Sequence, residues 1–195
     1  MQVAELVRRP ERDVAPLFVN RWSPRAFRPD PVPRSVLESM VEAARWAPSS
    51  INLQPWRFYL TSQGAKRDEW NTAVGERNRT WSDAAGALVW VVAKTTFGPN
   101  PFAPPEAPNR HAWFDTGAAA VQFVLEGERH GVRSHYMGGV DASKAHALLG
   151  LAPDEEVVCA IAVGYPADPA SLPEGLRQRE RPSGRKPAVE IATFA

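Results

Sequence analysis

The chain has 195 residues, with 23 Lys and Arg against 22 Asp and Glu, for a formal net charge of +1. That balance supplies no broad field for gathering nucleic acid or an anionic membrane, and the length suits one domain, residues 1–195, around one sizeable core. The single cysteine, Cys159, excludes an internal disulfide and lies in the apolar run 157–163, where it reads as a small core residue rather than a reactive thiol.

Residues 1–9 lack the apolar stretch of a signal peptide, and the longest apolar run, 84–93, is too short to span a bilayer, so a cytoplasmic protein is expected. Val36, Leu37, Met40, Val41 and Ala44 recur at helical spacing between Pro33 and Pro48, which predicts a helix over 34–46 with one buried face. Residues 48–55 then form the loop that leaves it. The segment 57–62 alternates, with Phe58 and Leu60 inward, and predicts an edge strand; 87–93 is continuously apolar and predicts a central one. Pro99, Pro101, Pro104, Pro105 and Pro108 make 97–109 a long loop, because proline brings no amide donor to a helix or a ladder.

A long helix is predicted from an N-cap at about Asp115 to His130, with Gly131 in the left-handed position that ends it. Further on, 142–149 reads as a short helix closed by Gly150, and 156–163 as a buried strand. The tail 166–187 is rich in proline, arginine and glycine, and the alternation over 189–194 predicts a strand-like arm. Helices and strands intermingle in an order that suits an α+β fold better than a regular βαβ series.

Several chemistries lack their parts. There is no G-x-x-x-x-G-K-[ST] or G-x-G-x-x-G loop, and no G-x-S-x-G elbow. His111, His130, His135 and His146 show none of the spacing of helical metal sites, so no metal is expected. Asp154-Glu155-Glu156 reads as a solvated turn.

Three clusters remain. In Arg21-Trp22-Ser23-Pro24-Arg25, two planar guanidinium forks and a hydroxyl suit a phosphate. In Pro48-Ser49-Ser50-Ile51-Asn52-Leu53-Gln54-Pro55-Trp56, Asn52 and Gln54 each carry a donor and an acceptor, which suits a heterocycle edge presenting both. Met137-Gly138-Gly139-Val140-Asp141 lets backbone amides approach a flat ring, and the basic run Arg181-Pro182-Ser183-Gly184-Arg185-Lys186-Pro187 adds late positive charge. Each cluster alone also fits an ordinary turn or solvated surface group.

Together and in this order, the clusters resemble the nitroreductase family of FMN-dependent oxidoreductases, whose members open on Arg-x-Ser-x-Arg/Lys and continue with Pro-Ser-Ser-x-Asn-x-Gln-Pro-Trp. Asp115-x-Gly117-Ala118-Ala119, Gly138-Gly139-Val140-Asp141, Ala162-Val163-Gly164-Tyr165-Pro166 and Gly184-Arg185-Lys186-Pro187 are similar too. The resemblance implies a three-layer α/β/α sandwich with a mainly antiparallel sheet, and a homodimer that swaps its C-terminal arms and holds FMN at its interface. By position, Arg21, Ser23, Arg25, Arg185 and Lys186 would hold the phosphate and ribityl end. Pro48, Ser49, Ser50, Asn52 and Gln54 would contact the ring of the flavin bound mainly by the partner. Gly138 and Gly139 would lie beside the ring, with the Gly138 amide near flavin N5, and Asn78 would approach the pyrimidine edge. His111, Trp113 and Phe114 are candidate liners of the substrate wall, or else core anchors.

The activity implied is ping-pong hydride transfer from NAD(P)H to nitroaromatics, quinones or similar electron-poor acceptors, with no protein acid or base pair. A flavin-binding module without turnover, or a flavin dehydrogenase or flavin-fragmenting enzyme of the same fold, stays open as an alternative.

Overall fold

The structure, a computed structural model, describes residues 8–195. Its helices and strands follow the chain as α1 (Pro16–Asn20), α2 (Arg34–Arg45), β1 (Trp56–Thr61), α3 (Ala65–Asn71), α4 (Glu76–Ser82), β2 (Ala87–Lys94), α5 (Ala112–Arg129), β3 (Arg133–Met137), α6 (Ala142–Leu149), β4 (Glu155–Gly164) and α7 (Glu174–Arg177). Among the described residues the strands form one antiparallel sheet in the order β1-β2-β4-β3, with β2 and β4 central.

Side chains alternate across a strand, so the continuous apolar run of β2 feeds two cores at once. Leu88, Trp90 and Val92 join Trp81, Met137 and Ala145 on the face covered by α3, α4 and α6. Ala87, Val89 and Val91 join Met40, Ala119 and Phe123 on the face covered by α2 and α5. The result is the expected α/β/α sandwich. Phe123 and Met40 are fully buried, so truncating either to Ala costs about 2–5 kcal/mol. Gly127 lets α2 and α5 approach closely, since a Cβ there would lie 2.9 Å from Met40 Cε.

Most predicted elements form within a residue or two of their expected bounds, and Gly131 (φ 72°) and Gly150 (φ 63°) both adopt the left-handed conformation. Asp141 caps α6 by accepting from Lys144 N at 2.9 Å. Residues 97–109 carry no helix or strand; the loop is tied by Gly98 N to Pro105 O at 2.8 Å and by Asn109 N to Thr95 O at 2.7 Å.

Two expectations are corrected. Asp115 is not the N-cap of α5, which already begins at Ala112; Asp115 is buried in the first turn and accepts from Ser50 N at 3.0 Å. The segment 189–194 is not a strand: a 3₁₀ turn at Ala188–Glu190 is followed by irregular chain, with Val189, Ile191 and Phe194 exposed. Its alternation has no ladder to join among the described residues, and an isolated strand leaves its amides to water. No described helix is long and apolar enough to cross a membrane.

Candidate functional site

The chain between α1 and α2 carries Arg21, Ser23 and Arg25 past His135 in the middle of β3, and the tail beyond α7 returns over them. Glu180 makes that return specific: its Oε1 accepts from Arg25 N at 2.7 Å and Ala26 N at 2.9 Å, pinning the tail to the arginine motif. Arg8 braces the other side, donating to the carbonyls of Val19 (2.9 Å), Arg21 (2.5 Å) and Ser183 (2.7 Å). Between them lies a cleft of about 350 Å³ lined by six arginines (Arg8, Arg21, Arg25, Arg179, Arg181 and Arg185), with Ser23, Ser183, Trp22 and His135. No carboxylate lines it among the described residues.

The charges in this cleft act on one another. Burial first, and then the nearby positive charge of Arg185 and Arg21, lowers the Arg8 pKa. Burial likewise lowers Arg21 and Arg25, with Arg185 adding to the effect on the former and Arg179 on the latter. Guanidinium groups stay protonated at any ordinary pH, so the repulsion persists as a standing attraction for anions.

His135 closes the floor of the cleft. Its Nδ1–H donates to the Pro24 carbonyl at 2.8 Å, which assigns the tautomer, and its ring lies 4.5 Å from that of Trp81. Burial pushes its pKa down to about 4, with Arg25 and Arg21 acting in the same direction and the Pro24 carbonyl opposing them. The Arg25 guanidinium stands 5.9 Å from the centre of the Trp81 ring.

Arg25 and Arg179 also line a second, adjoining cavity of about 750 Å³, bounded by Gly75, Asn78, Trp81, Gly138 and Gly139. Its glycine wall is built by close backbone approach: Gly75 N donates to Gly139 O at 3.0 Å, and a Cβ on Gly75 would fall 2.8 Å from that oxygen. Asn78 Nδ2 donates to the same carbonyl at 3.2 Å. A Cβ on Gly138 would meet nothing within 4 Å, so its backbone borders open space.

Arg21, Ser23, Arg25, Arg185, Asn78, Gly138 and Gly139 are therefore brought to two joined cavities, while Lys186 lines neither and stands 4.0 Å from Glu190. The loop with Pro48, Ser49, Ser50, Asn52 and Gln54 also lines neither. It leaves the end of α2 in a strained conformation, with positive φ at Ile51 (43°), Asn52 (59°) and Gln54 (49°). Such angles cost about 1–3 kcal/mol each for residues other than glycine, and they persist where the surroundings enforce them. Here the enforcing groups are Asp115 on Ser50 N, Ser49 Oγ accepting from Gln54 N at 3.0 Å, and Gln54 Nε2 donating to Asn52 Oδ1 at 3.1 Å.

His111, Trp113 and Phe114 are exposed at the start of α5 and line neither cavity, which also removes the reading of Trp113 and Phe114 as core anchors. Trp113 Nε1 instead donates to Glu156 Oε2 at 2.8 Å. Cys159 is partly buried in β4, and burial pushes its thiol up to about 12, as expected of an inert residue. Sequence reasoning missed Arg8, His135 and the adjacent pair Arg179 and Glu180; these three places lie far apart in the chain and carry no motif of their own.

A family model described as "Nitroreductase family" matches residues 19–165, from the arginine motif to the end of β4. An NADH dehydrogenase of Thermus thermophilus is 30% identical over 187 residues, covering 82% of this chain and 89% of that one. A CLA biosynthesis enone reductase of Lactiplantibacillus plantarum is 28% identical over 187 residues, covering 80% and 86%. A crystal structure described as an oxidoreductase containing FMN superposes with a TM-score of 0.92 at 31% identity, covering 98% of this chain and 96% of that one. Since the arginine motif, the strained loop and the glycines of the cavity wall all fall within the matched span, the chain belongs to the nitroreductase family.

Proposed function

We propose that this protein is an FMN-dependent oxidoreductase that uses NAD(P)H to reduce nitroaromatics, quinones or similar electron-poor acceptors. The observation that carries the reading is the continuity of the arginine cleft with the glycine-walled cavity through Arg25 and Arg179. A ligand with a phosphate at one end and a flat heterocycle at the other matches that sequence of surfaces. The residues fit FMN on the chemistry of the donor set: guanidinium groups that repel one another at the phosphate end, and backbone without Cβ atoms at the ring end.

In this reading Arg21, Ser23, Arg25 and Arg185 hold the phosphate, and Lys186 adds charge nearby. Gly138 and Gly139 lie beside the ring, and Asn78 approaches its edge. Bound FMN would supply the acceptance and release of a hydride, chemistry that no side chain here performs. The protein's part is to orient and exclude. The glycine wall lets the ring lie flat, the Asn78 bond to Gly139 holds that wall in shape, and the cavity takes reductant and acceptor in turn, which is ping-pong kinetics.

The loop of Pro48, Ser49, Ser50, Asn52 and Gln54 lines neither cavity of its own chain, and Trp46 and Ile51 beyond α2 and Trp113, Phe114 and Val121 along α5 are exposed. Both facts support a homodimer in which that loop completes the partner's flavin site. The exposed apolar residues of 189–194 support an arm that crosses to the partner. His111, Trp113 and Phe114 then belong to the substrate wall at the interface.

The test is direct. Purified protein is expected to be yellow, to behave as a dimer by light scattering, and to lose its flavin absorbance on anaerobic mixing with NADPH or NADH. A colourless protein that takes up no added FMN overturns the proposal; a yellow protein that neither reductant bleaches overturns its catalytic part.

A further inference from the structure

Six arginines exceed what one phosphate monoester uses. At neutral pH such a group carries a charge of about −1.5 to −2, so roughly four positive charges stay unmatched. The arginines also differ in what they do. Arg8 is committed to three backbone carbonyls, and Arg21 to Ser23 Oγ at 2.8 Å. Arg185 turns to Ser183 and Gly184. Among the described residues, the side chains of Arg179 and Arg181 make no hydrogen bond or ion pair, and both are exposed at the cleft.

Their placement follows from a tight turn beyond α7. Arg179 N donates to Leu176 O at 3.0 Å, Glu180 N to Arg177 O at 3.1 Å, and Arg181 N to Arg179 O at 3.0 Å. Glu180, between the two arginines, turns inward onto Arg25 N and Ala26 N, and so anchors the turn while its neighbours face the cleft. Arg179 further lines the glycine-walled cavity. A second molecule entering that cavity would carry an anionic group past this pair.

The two nicotinamide reductants share a diphosphate and differ by one ribose phosphate. In Rossmann folds a carboxylate hydrogen-bonds the free ribose hydroxyls of NADH whereas arginine accommodates the extra phosphate of NADPH, and the affinity of guanidinium for phosphate holds outside that fold as well. No carboxylate lines this cleft among the described residues, and besides Arg25 the guanidinium forks of Arg179 and Arg181 stand without a hydrogen bond or ion pair there. We infer that Arg179 and Arg181 form a second anion subsite that binds the ribose phosphate of NADPH and makes the enzyme select NADPH over NADH. The inference rests on the flavin reading of the two cavities.

The test uses the FMN-loaded protein and the oxidised nucleotides NADP+ and NAD+, so that no turnover intervenes, with calorimetric titration of the wild type, Arg181→Gln and the Arg179→Gln/Arg181→Gln double variant. The wild type is expected to bind NADP+ at least about tenfold more tightly than NAD+, the scale of a charge-assisted phosphate contact. The double variant is expected to lose that preference while its NAD+ affinity stays within about threefold. Equal wild-type affinities overturn the proposal, as do variants that weaken both nucleotides alike. FMN affinity is measured separately by titrating the apoprotein. A fall in FMN affinity matching the fall for NADP+ assigns the pair to the FMN phosphate and overturns the second subsite. Failure of the wild type to take up FMN overturns the underlying reading, and this inference with it.

Discussion

Replacing Arg25 with Ala separates a binding role from a structural one. The Arg25 backbone amide is held by Glu180 whatever the side chain, so the clamp between tail and motif survives the substitution. The guanidinium makes no hydrogen bond among the described residues; it stands over Trp81, is repelled by Arg179 and is attracted, less strongly, by the Glu180 carboxylate. Its loss removes a cation–π contact of about 0.5–1 kcal/mol and relieves some like-charge repulsion, so the apoprotein loses less than about 1 kcal/mol. A charge-assisted bond to phosphate contributes about 1.5–3 kcal/mol, so the FMN dissociation constant rises about 10- to 150-fold. Arg25→Lys keeps the charge without the planar fork and falls between. Quenching of FMN fluorescence by apoprotein gives the affinity, and urea denaturation of the apoprotein gives the stability. A change in FMN affinity below about threefold, or an equal free-energy loss in the apoprotein, refutes the assignment.

Other outcomes follow from the same geometry. Asp115→Ala removes the carboxylate that holds Ser50 N, and hydrogen exchange of 48–55 is expected to rise by about 10-fold or more while α5 stays protected; unchanged loop exchange counts against Asp115 as the restraint. Glu180→Ala frees two backbone amides and is expected to cost about 2 kcal/mol in urea unfolding, with Glu180→Gln costing less because one acceptor oxygen remains. His135 is depressed from 6.5 to about 4, so the unfolded chain takes up a proton that the native state refuses. Stability is therefore full above about pH 6.5 and falls by about 1.4 kcal/mol per unit as pH drops toward 4; urea midpoints across that range should flatten in His135→Gln. Gly75→Ala drives a Cβ to 2.8 Å from Gly139 O and is expected to cost about 1–3 kcal/mol and to weaken FMN binding, read by the same two assays.

What was legible in the sequence was what local chemistry specifies. The spacing of Leu37, Met40 and Ala44 between two prolines marks α2, and glycines 131 and 150 mark helix ends, because each signal acts within a few residues. The apolar runs of β2 and β4 announce strands buried on both faces. β3 was not legible: Arg-Ser-His-Tyr-Met alternates without an apolar face, since one side faces the cleft through His135. α3 and α4 are short and polar and owe their place to packing against the sheet rather than to periodicity. The start of α5 was misplaced because Asp115 looks like a cap, whereas its partner Ser50 lies 65 residues away. The same reason hid part of the cleft. Arg21, Ser23 and Arg25 form a motif, but Arg8, His135, Arg179 and Glu180 reach them only through tertiary structure.

The separation of the arginine cleft from the strained loop within one chain has a genetic consequence. In the proposed dimer each site takes its phosphate clamp from one protomer and its loop from the other. A variant defective only in the clamp and a variant defective only in the loop would each be inactive alone. Mixed in one cell, their heterodimers would place both lesions in one site and leave the other intact. Two loss-of-function alleles would then restore activity together, and residues of this chain could be sorted into clamp and loop groups by which pairs complement.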